Sequence, residues 1–237
     1  MLLGSPQNLR TLPELKVKYR DHELSPVSSA KNLGIIFDRH LTWGDHITTL
    51  TKRCFGVLGG LSHLRGHLPP TVISVLVSAL VISQVRYCIA VYGAGTRHNL
   101  SRIQKILNYA AKVIFGRKKY DHVSDLMCQL RWLSAENLVT YHSLCLLHKV
   151  RCHAEPEVLA GSLATVAEAR GRDAAVSTRQ DTLLHVPRSR TEMGKRRFTC
   201  RAPAALNSLP SDLPRLPPGA FGQRLRRHLL EEQNTSN

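Results

Sequence analysis

The sequence predicts a mainly α-helical protein, with a small β-hairpin element at the N-terminus and a loosely structured, Pro/Arg-rich C-terminal region. Three observations carry this. Apolar residues recur at three- and four-residue intervals through 47–64 and 100–114, the mark of helices that bury one stripe. A two-residue alternation of apolar and basic side chains marks 15–19, as in a half-exposed strand. Pro203, Pro210, Pro214, Pro217 and Pro218 punctuate the last section, where they favour turns. Hydrophobic residues make up 43% of the 237, enough for a real core and against wholesale disorder.

Taken in order, Leu15-Lys16-Val17-Lys18-Tyr19 reads as a strand, Arg20-Asp21-His22-Glu23 can turn the chain, and 31–37 reads as a second, more buried strand. This element is expected to be the edge of a larger sheet. The Thr42 hydroxyl, with Asp45 three residues on, offers a capping-box-like start. The helix that follows carries Ile47, Leu50, Cys54, Val57/Leu58, Leu61 and Leu64 on one stripe. Pro69-Pro70 can open the next helix, which runs through the apolar stretch 72–83 to about Tyr87. Twelve apolar residues fall short of the roughly 20 that span a bilayer, so no membrane insertion is expected. Gly93-Ala94-Gly95 breaks the chain. A third helix buries Leu100, Ile103, Leu107, Ala110/Ala111 and Ile114, and Gly116 ends it. Two further helices are expected at about 122–130 and 135–152. Residues 160–195 read as a loose linker with a short strand near 183–186. A short helix near 219–231 and a frayed tail, 232–237, close the chain.

Charge is the strongest compositional signal. The net charge is +16 and the pI is about 10.1, which draws the protein towards polyanions. Residues 41–120 hold eleven Lys/Arg and one acid, Asp45, as a binding footprint would. At about 100° per residue, Arg102, Lys105, Tyr109 and Lys112 fall together on the side of the third helix away from its apolar stripe. Arg117, Lys118 and Lys119 prolong the positive run, Lys52 and Arg53 flank it from the first long helix, and Arg196, Arg197 and Arg224/Arg226/Arg227 extend it towards the C-terminus. Phosphate contact is the functional reading, with Tyr109 able to stack on a sugar or base; a solvated face is the alternative.

Chemistry beyond binding is not indicated. There is no nucleophile elbow, P-loop, Gly-x-Gly-x-x-Gly or His-Glu-x-x-His in the chain. His142, Cys145, His148, Cys152 and His153 share one helix. A helix brings only i,i+3 or i,i+4 pairs to one ion, and a tetrahedral site needs a second element. A buried helix is the expectation, with no metal. The six cysteines are widely spaced without a CxxC, and Ser5-Pro6 arrives before a leader's apolar core could form. Reduced thiols in the nucleus or cytoplasm are expected.

Several short motifs add a resemblance. They are Lys31-Asn32-Leu33-Gly34-Ile35-Ile36-Phe37-Asp38, then Leu41-Thr42-Trp43 and His46-Ile47; Arg86-Tyr87-Cys88 and Tyr92-Gly93; Gln104, Asn108, Ala110-Ala111-Lys112 and Gly116. Tyr120-Asp121-His122-Val123, Leu130 and Trp132-Leu133 follow, and then Val186-Pro187-Arg188, Phe198, Ala202-Pro203 and Asn207-Ser208-Leu209-Pro210. In this order they resemble the palm edge, thumb and post-thumb part of reverse transcriptases of non-LTR (LINE, jockey-like) retrotransposons. Three positions depart from that pattern: Arg86 replaces an Asp, Ser134 a Pro, and Leu206 a Trp. The last two are expected to loosen the C-terminal section.

The resemblance implies an organisation. Residues 1–40 would be the end of the palm, a primer-grip-like β element with Leu33-Gly34 at the grip. Residues 41–120 would be a basic, thumb-like helical bundle, 121–153 a helical extension, and 154–237 a linker and turn-rich region. A buried strand, with glycine for close approach, is the alternative at Leu33-Gly34. The parent would be an RNA-directed DNA polymerase using Mg²⁺ held by paired aspartates, and this chain has no Asp-Asp pair. It is therefore expected to start downstream of the catalytic centre and to need no cofactor. Alone it should be inactive in polymerisation yet able to bind RNA, RNA–DNA hybrid or DNA by the backbone, with a missing palm domain or another protein as partner. The alternative is a non-enzymatic, domesticated protein-interaction module.

Overall fold

Helix dominates the computed structural model, which describes residues 1–12, 15–118, 120–171 and 182–235. Internal packing divides the chain into two units, 1–126 and 127–237. The first opens with a short α1 (Pro6–Arg10) and two antiparallel hairpins, β1 (Val17–Tyr19) with β2 (His22–Leu24), and β3 (Ser29–Asn32) with β4 (Ile35–Asp38). The expected single strand over 31–37 is therefore two strands. Leu33 and Gly34 both take positive φ, 46° and 83°, the two-residue turn that matches strand twist. Apolar Leu33 hid this turn, because such turns usually carry Asn-Gly. The hairpins form separate two-stranded ladders.

Helix α2 (Gly44–Leu64) buries Ile47, Leu50, Cys54, Leu58 and Leu61, the predicted stripe except Leu64 at its end, which is exposed. Its start differs from the expected capping box. Trp43, not Thr42, precedes the first turn, in a left-handed conformation and with no side-chain cap. The Asp38 carboxylate instead fixes the turn that leads into the helix, accepting from the backbone N–H of His40 (3.1 Å), Thr42 (3.0 Å) and Trp43 (2.6 Å). Burial alone would raise the Asp38 pKa, but these backbone hydrogen bonds outweigh it and hold the carboxyl below its ordinary value.

Pro70 opens α3 (Pro70–Val77), which continues through a π-helical turn, Ser78–Ile82, into α4 (Ser83–Arg86). A four-residue α5 (Ile89–Tyr92) precedes the glycine break. Helix α6 (Arg97–Phe115) is capped at both ends: the Thr96 hydroxyl accepts from the Asn99 N–H, and Gly116 sits at φ 65°. The Arg117 N–H reaches back to the Lys112 carbonyl at 3.0 Å, closing the helix as a Schellman turn does. Ile73, Val77, Val81, Ile103, Ile106 and Ala110 are fully buried in this unit. Tyr92 is also fully buried, its hydroxyl donating to the Val85 carbonyl and its ring edge-on to His46 at 4.7 Å. No helix among the described residues is long and apolar enough to cross a membrane.

Helix α7 (Ser124–Gln129) straddles the division. The second unit is built on α8 (Ala135–His153), followed by α9 (Glu157–Ala160), α10 (Val166–Arg170), α11 (Glu192–Lys195), α12 (Phe198–Asn207), a 3₁₀ turn Leu213–Arg215, and α13 (Pro218–Thr235). Helices α12 and α13 both pack on α8. Phe221, Leu225 and Leu229 form the buried stripe of α13, and His148 of α8 stacks on Phe221 at 4.0 Å.

This unit is more ordered than its prolines imply. The turn-rich expectation missed α12, which carries Pro203 within it. Thr165 and Glu168 form a reciprocal capping box at α10 inside the expected linker. The expected strand at 183–186 shrinks to one bridge, Thr165 with Leu184. The Asn207 side chain pairs with both backbone groups of Leu184, accepting at 3.0 Å and donating at 2.8 Å. Helix α13 also runs on to Thr235 rather than fraying at 232. At the two departures themselves the structure is packed: Leu206 is buried, and the Ser134 hydroxyl caps α8 by accepting from the Asn137 N–H at 3.2 Å. Residues 172–181 of the linker lie outside the described residues.

Candidate nucleic-acid interface

The basic residues of the first unit are organised by the way α2 and α6 lie together. Asn99 Nδ2 donates to the Thr42 carbonyl at 2.7 Å, Arg102 Nη2 donates to Thr48 Oγ1 at 3.1 Å, and the Tyr109 ring lies 5.5 Å from that of Phe55. Further along, the Arg65 guanidinium occupies the space that a side chain at Gly116 would need. Partners advance together along both helices, so α2 and α6 run parallel with one long seam between them.

Along that seam the predicted cations separate into classes. Lys52 lies one turn beyond Thr48 and one before Phe55, so it stands on the α2 edge of the seam, exposed. Lys105 is exposed on the α6 edge; Lys112, three residues past Tyr109, is half-buried. Arg102 and Tyr109 do not stand free on an outer face: one is bound to Thr48, the other packs on Phe55. They form the floor of the seam rather than a stacking platform. Arg117 and Lys118 are exposed beyond Gly116, where the Lys118 N–H is held by the Asp121 carboxylate at 2.8 Å.

Other predicted cations are placed elsewhere. Arg53 is exposed, but one residue on from Lys52 turns it by about 100° away from the seam. Arg196 (half-buried) and Arg197 (exposed) belong to the second unit, between α11 and α12. Lys119 lies outside the described residues.

Sequence reasoning missed Arg65. It follows the last apolar residue of α2 and joins Arg117 and Lys118 at the far end of the seam, near the carbonyl end of α6, which favours cations. The signal that could have found it is Gly116: an invitation for a neighbouring side chain to lie across a glycine. Tyr87 was also missed as a support. Its hydroxyl donates to the Leu33 carbonyl at 2.7 Å, and its ring lies against Gly34. Leu33 itself is 82% exposed. The Leu33-Gly34 pair is thus a hairpin tip braced from behind, which corrects the buried-strand alternative.

Among the described residues, no group of three or more His, Cys, Asp or Glu side chains is placed to hold a metal ion. The Mg²⁺ that a polymerase resemblance implies finds no fitting donor set among them. In the His/Cys helix, His148 is taken up by Phe221, with Cys152 Sγ 3.7 Å from its Nδ1.

Over 133 residues, the chain is 26% identical to the probable RNA-directed DNA polymerase from transposon BS of Drosophila melanogaster. The match covers 55% of this chain and 15% of the relative's own length. No protein-family profile matches, and no solved structure does. The similarity supports a region related to a transposon RNA-directed DNA polymerase.

Proposed function

We propose that this chain is the palm-edge, thumb and post-thumb part of a non-LTR, jockey-like reverse transcriptase, and that its first unit holds RNA, RNA–DNA hybrid or DNA by the phosphate backbone. The observation that supports this best is the α2/α6 seam. Lys52 and Lys105 line its two edges, Arg102 lies in its floor, Lys112 lies further along α6, and Arg65, Arg117 and Lys118 stand at its end, in a block of eighty residues whose one acid is Asp45. Parallel helices set cations along a line, which suits a strand of regularly spaced phosphates. No base-reading element accompanies them, so little sequence preference is expected. The braced Leu33-Gly34 tip would take the primer-grip role. With no Asp-Asp pair in the chain, nucleotidyl transfer is not assigned to this region.

Fluorescence-anisotropy titration of an RNA–DNA hybrid against salt tests the proposal. About 4–6 phosphate contacts give a log–log slope of roughly −3 to −5. The Lys52→Glu/Lys105→Glu double variant should flatten that slope, whereas Arg53→Glu, off the seam, should leave most of it. A flat response in the parent protein, or equal losses from both variants, would overturn the seam and put the protein-interaction module in its place.

A further inference from the structure

The second unit contains a groove that the seam does not explain. It has a volume of about 750 Å³ and lies between the turn after α7 and one side of α13. Gln223, Arg227, Leu230 and Asn234 follow one another at helical spacing along α13, and Arg226 stands beside them. Arg131 faces them from the turn, with Leu130 adding apolar wall. Three guanidiniums meet one carboxylate, Glu231, so the groove is cationic.

Two details show that these arginines are placed rather than merely present. Arg131 holds φ 51°, a left-handed conformation that glycine or asparagine occupies at least cost. It ends α7 there: the Trp132 N–H reaches the Met127 carbonyl at 3.0 Å across it. This turn sets the direction in which the chain, and Arg131 with it, leaves α7. The Arg131 carbonyl in turn accepts from Arg226 Nη2 at 3.0 Å, fixing one edge of that guanidinium and leaving its remaining donors for a ligand.

We infer that this groove binds a nucleotide unit, with its phosphate on Arg131, Arg226 and Arg227 and its base against Leu230 and the Asn234 amide, one to two turns further along α13. Guanidinium forks match phosphate oxygens in pairs, and side-chain amides can meet base edges. The volume lies within the range of about 300–1,000 Å³ typical of small-ligand sites. The same chemistry is offered by a free nucleotide and by one residue of a single strand. The inference concerns this unit's own side chains and stands independently of the α2/α6 seam.

Cys128 lines the groove and is exposed, whereas Cys152, also exposed, does not line it. Alkylation of the full chain by iodoacetamide, read by mass spectrometry at both cysteines, therefore reports occupancy with an internal control. With adenosine monophosphate or a short oligoadenylate at about ten times its Kd, modification of Cys128 should slow about tenfold while that of Cys152 is unchanged. Protection by both probes supports a free-nucleotide site; protection by the oligonucleotide alone supports a strand site. Arg226→Gln/Arg227→Gln should abolish protection, and Lys52→Glu/Lys105→Glu should not. Arg131→Gly relieves the backbone while removing a guanidinium, so it should weaken protection without lowering Tm. Failure of both probes to protect Cys128, or protection that survives in Arg226→Gln/Arg227→Gln, would overturn the inference.

Discussion

Asp38 ends a strand, yet it orders the start of the longest helix in the first unit. Its two oxygens satisfy three backbone N–H groups ahead of α2, a role for which the sequence offered Thr42. Thr42 is used differently: its carbonyl receives the Asn99 amide, and its N–H goes to Asp38. A Ser/Thr-x-x-acid spacing records that a cap is chemically available, not that the chain turns there, and an aspartate four residues upstream competed better. Asp38→Ala should lower stability by about 2 kcal/mol, the scale of hydrogen bonds to a charged acceptor, in urea unfolding at neutral pH. The pH dependence has a definite sign. A carboxyl whose folded pKa lies below its ordinary 3.8 stabilises the fold fully above that value and loses its contribution as pH falls through the lower folded value. The gap between parent and variant should therefore be constant above about pH 5 and shrink in acid below 3.8. A gap that grows in acid would show that some other group holds the turn.

Among the elements, α6 was legible because every local signal agreed. Its apolar stripe and its Gly116 stop mark the same helix, and the Thr96 cap that the structure shows agrees with them. Helix α12 was illegible because Pro203 reads as a breaker, although a helix ten residues long tolerates it with Ala202, Pro203 and Leu206 buried. Periodicity placed Arg102 and Tyr109 on the polar side of α6, but could not say that a parallel neighbour would claim them through Thr48 and Phe55. That pairing spans more than fifty residues of sequence, and no single-helix pattern contains it. The start of α8 shows the same dependence on a distant element. Gln233 of α13 accepts from the Ser134 N–H at 2.7 Å and donates to the Trp132 carbonyl at 3.3 Å, while the Ser134 hydroxyl caps the helix. Ser134→Ala should cost about 1 kcal/mol, the usual worth of a cap. Gln233→Ala should cost a similar amount, and the double variant should be non-additive by about 0.5 kcal/mol or more, as for residues sharing one network. Strict additivity in thermal or urea unfolding would show that α13 does not support this end of α8.

At the scale of the whole molecule, charge sets two opposite responses to salt. A net charge of +16 repels itself in the folded state. The ion pairs Lys16–Glu23 and Lys195–Glu192 offset little of it, since exposed pairs of this kind are worth little. Screening should therefore help the free protein: its Tm should rise as salt is raised from about 0.05 M to 0.5 M, where the Debye length falls from roughly 14 Å to 4 Å. Bound nucleic acid should behave in the other direction. At about 100 times Kd a ligand adds roughly 2.7 kcal/mol to apparent stability, and that increment should decay with salt as phosphate contacts are lost. Scans with and without oligonucleotide should thus begin apart at low salt and converge at high salt, with the free curve climbing to meet the bound one. Convergence with a falling free curve would mean that attractive pairs outweigh repulsion in this fold. Parallel curves would mean that the ligand is held by something other than phosphate, and the cationic seam and groove would then both be solvated surface.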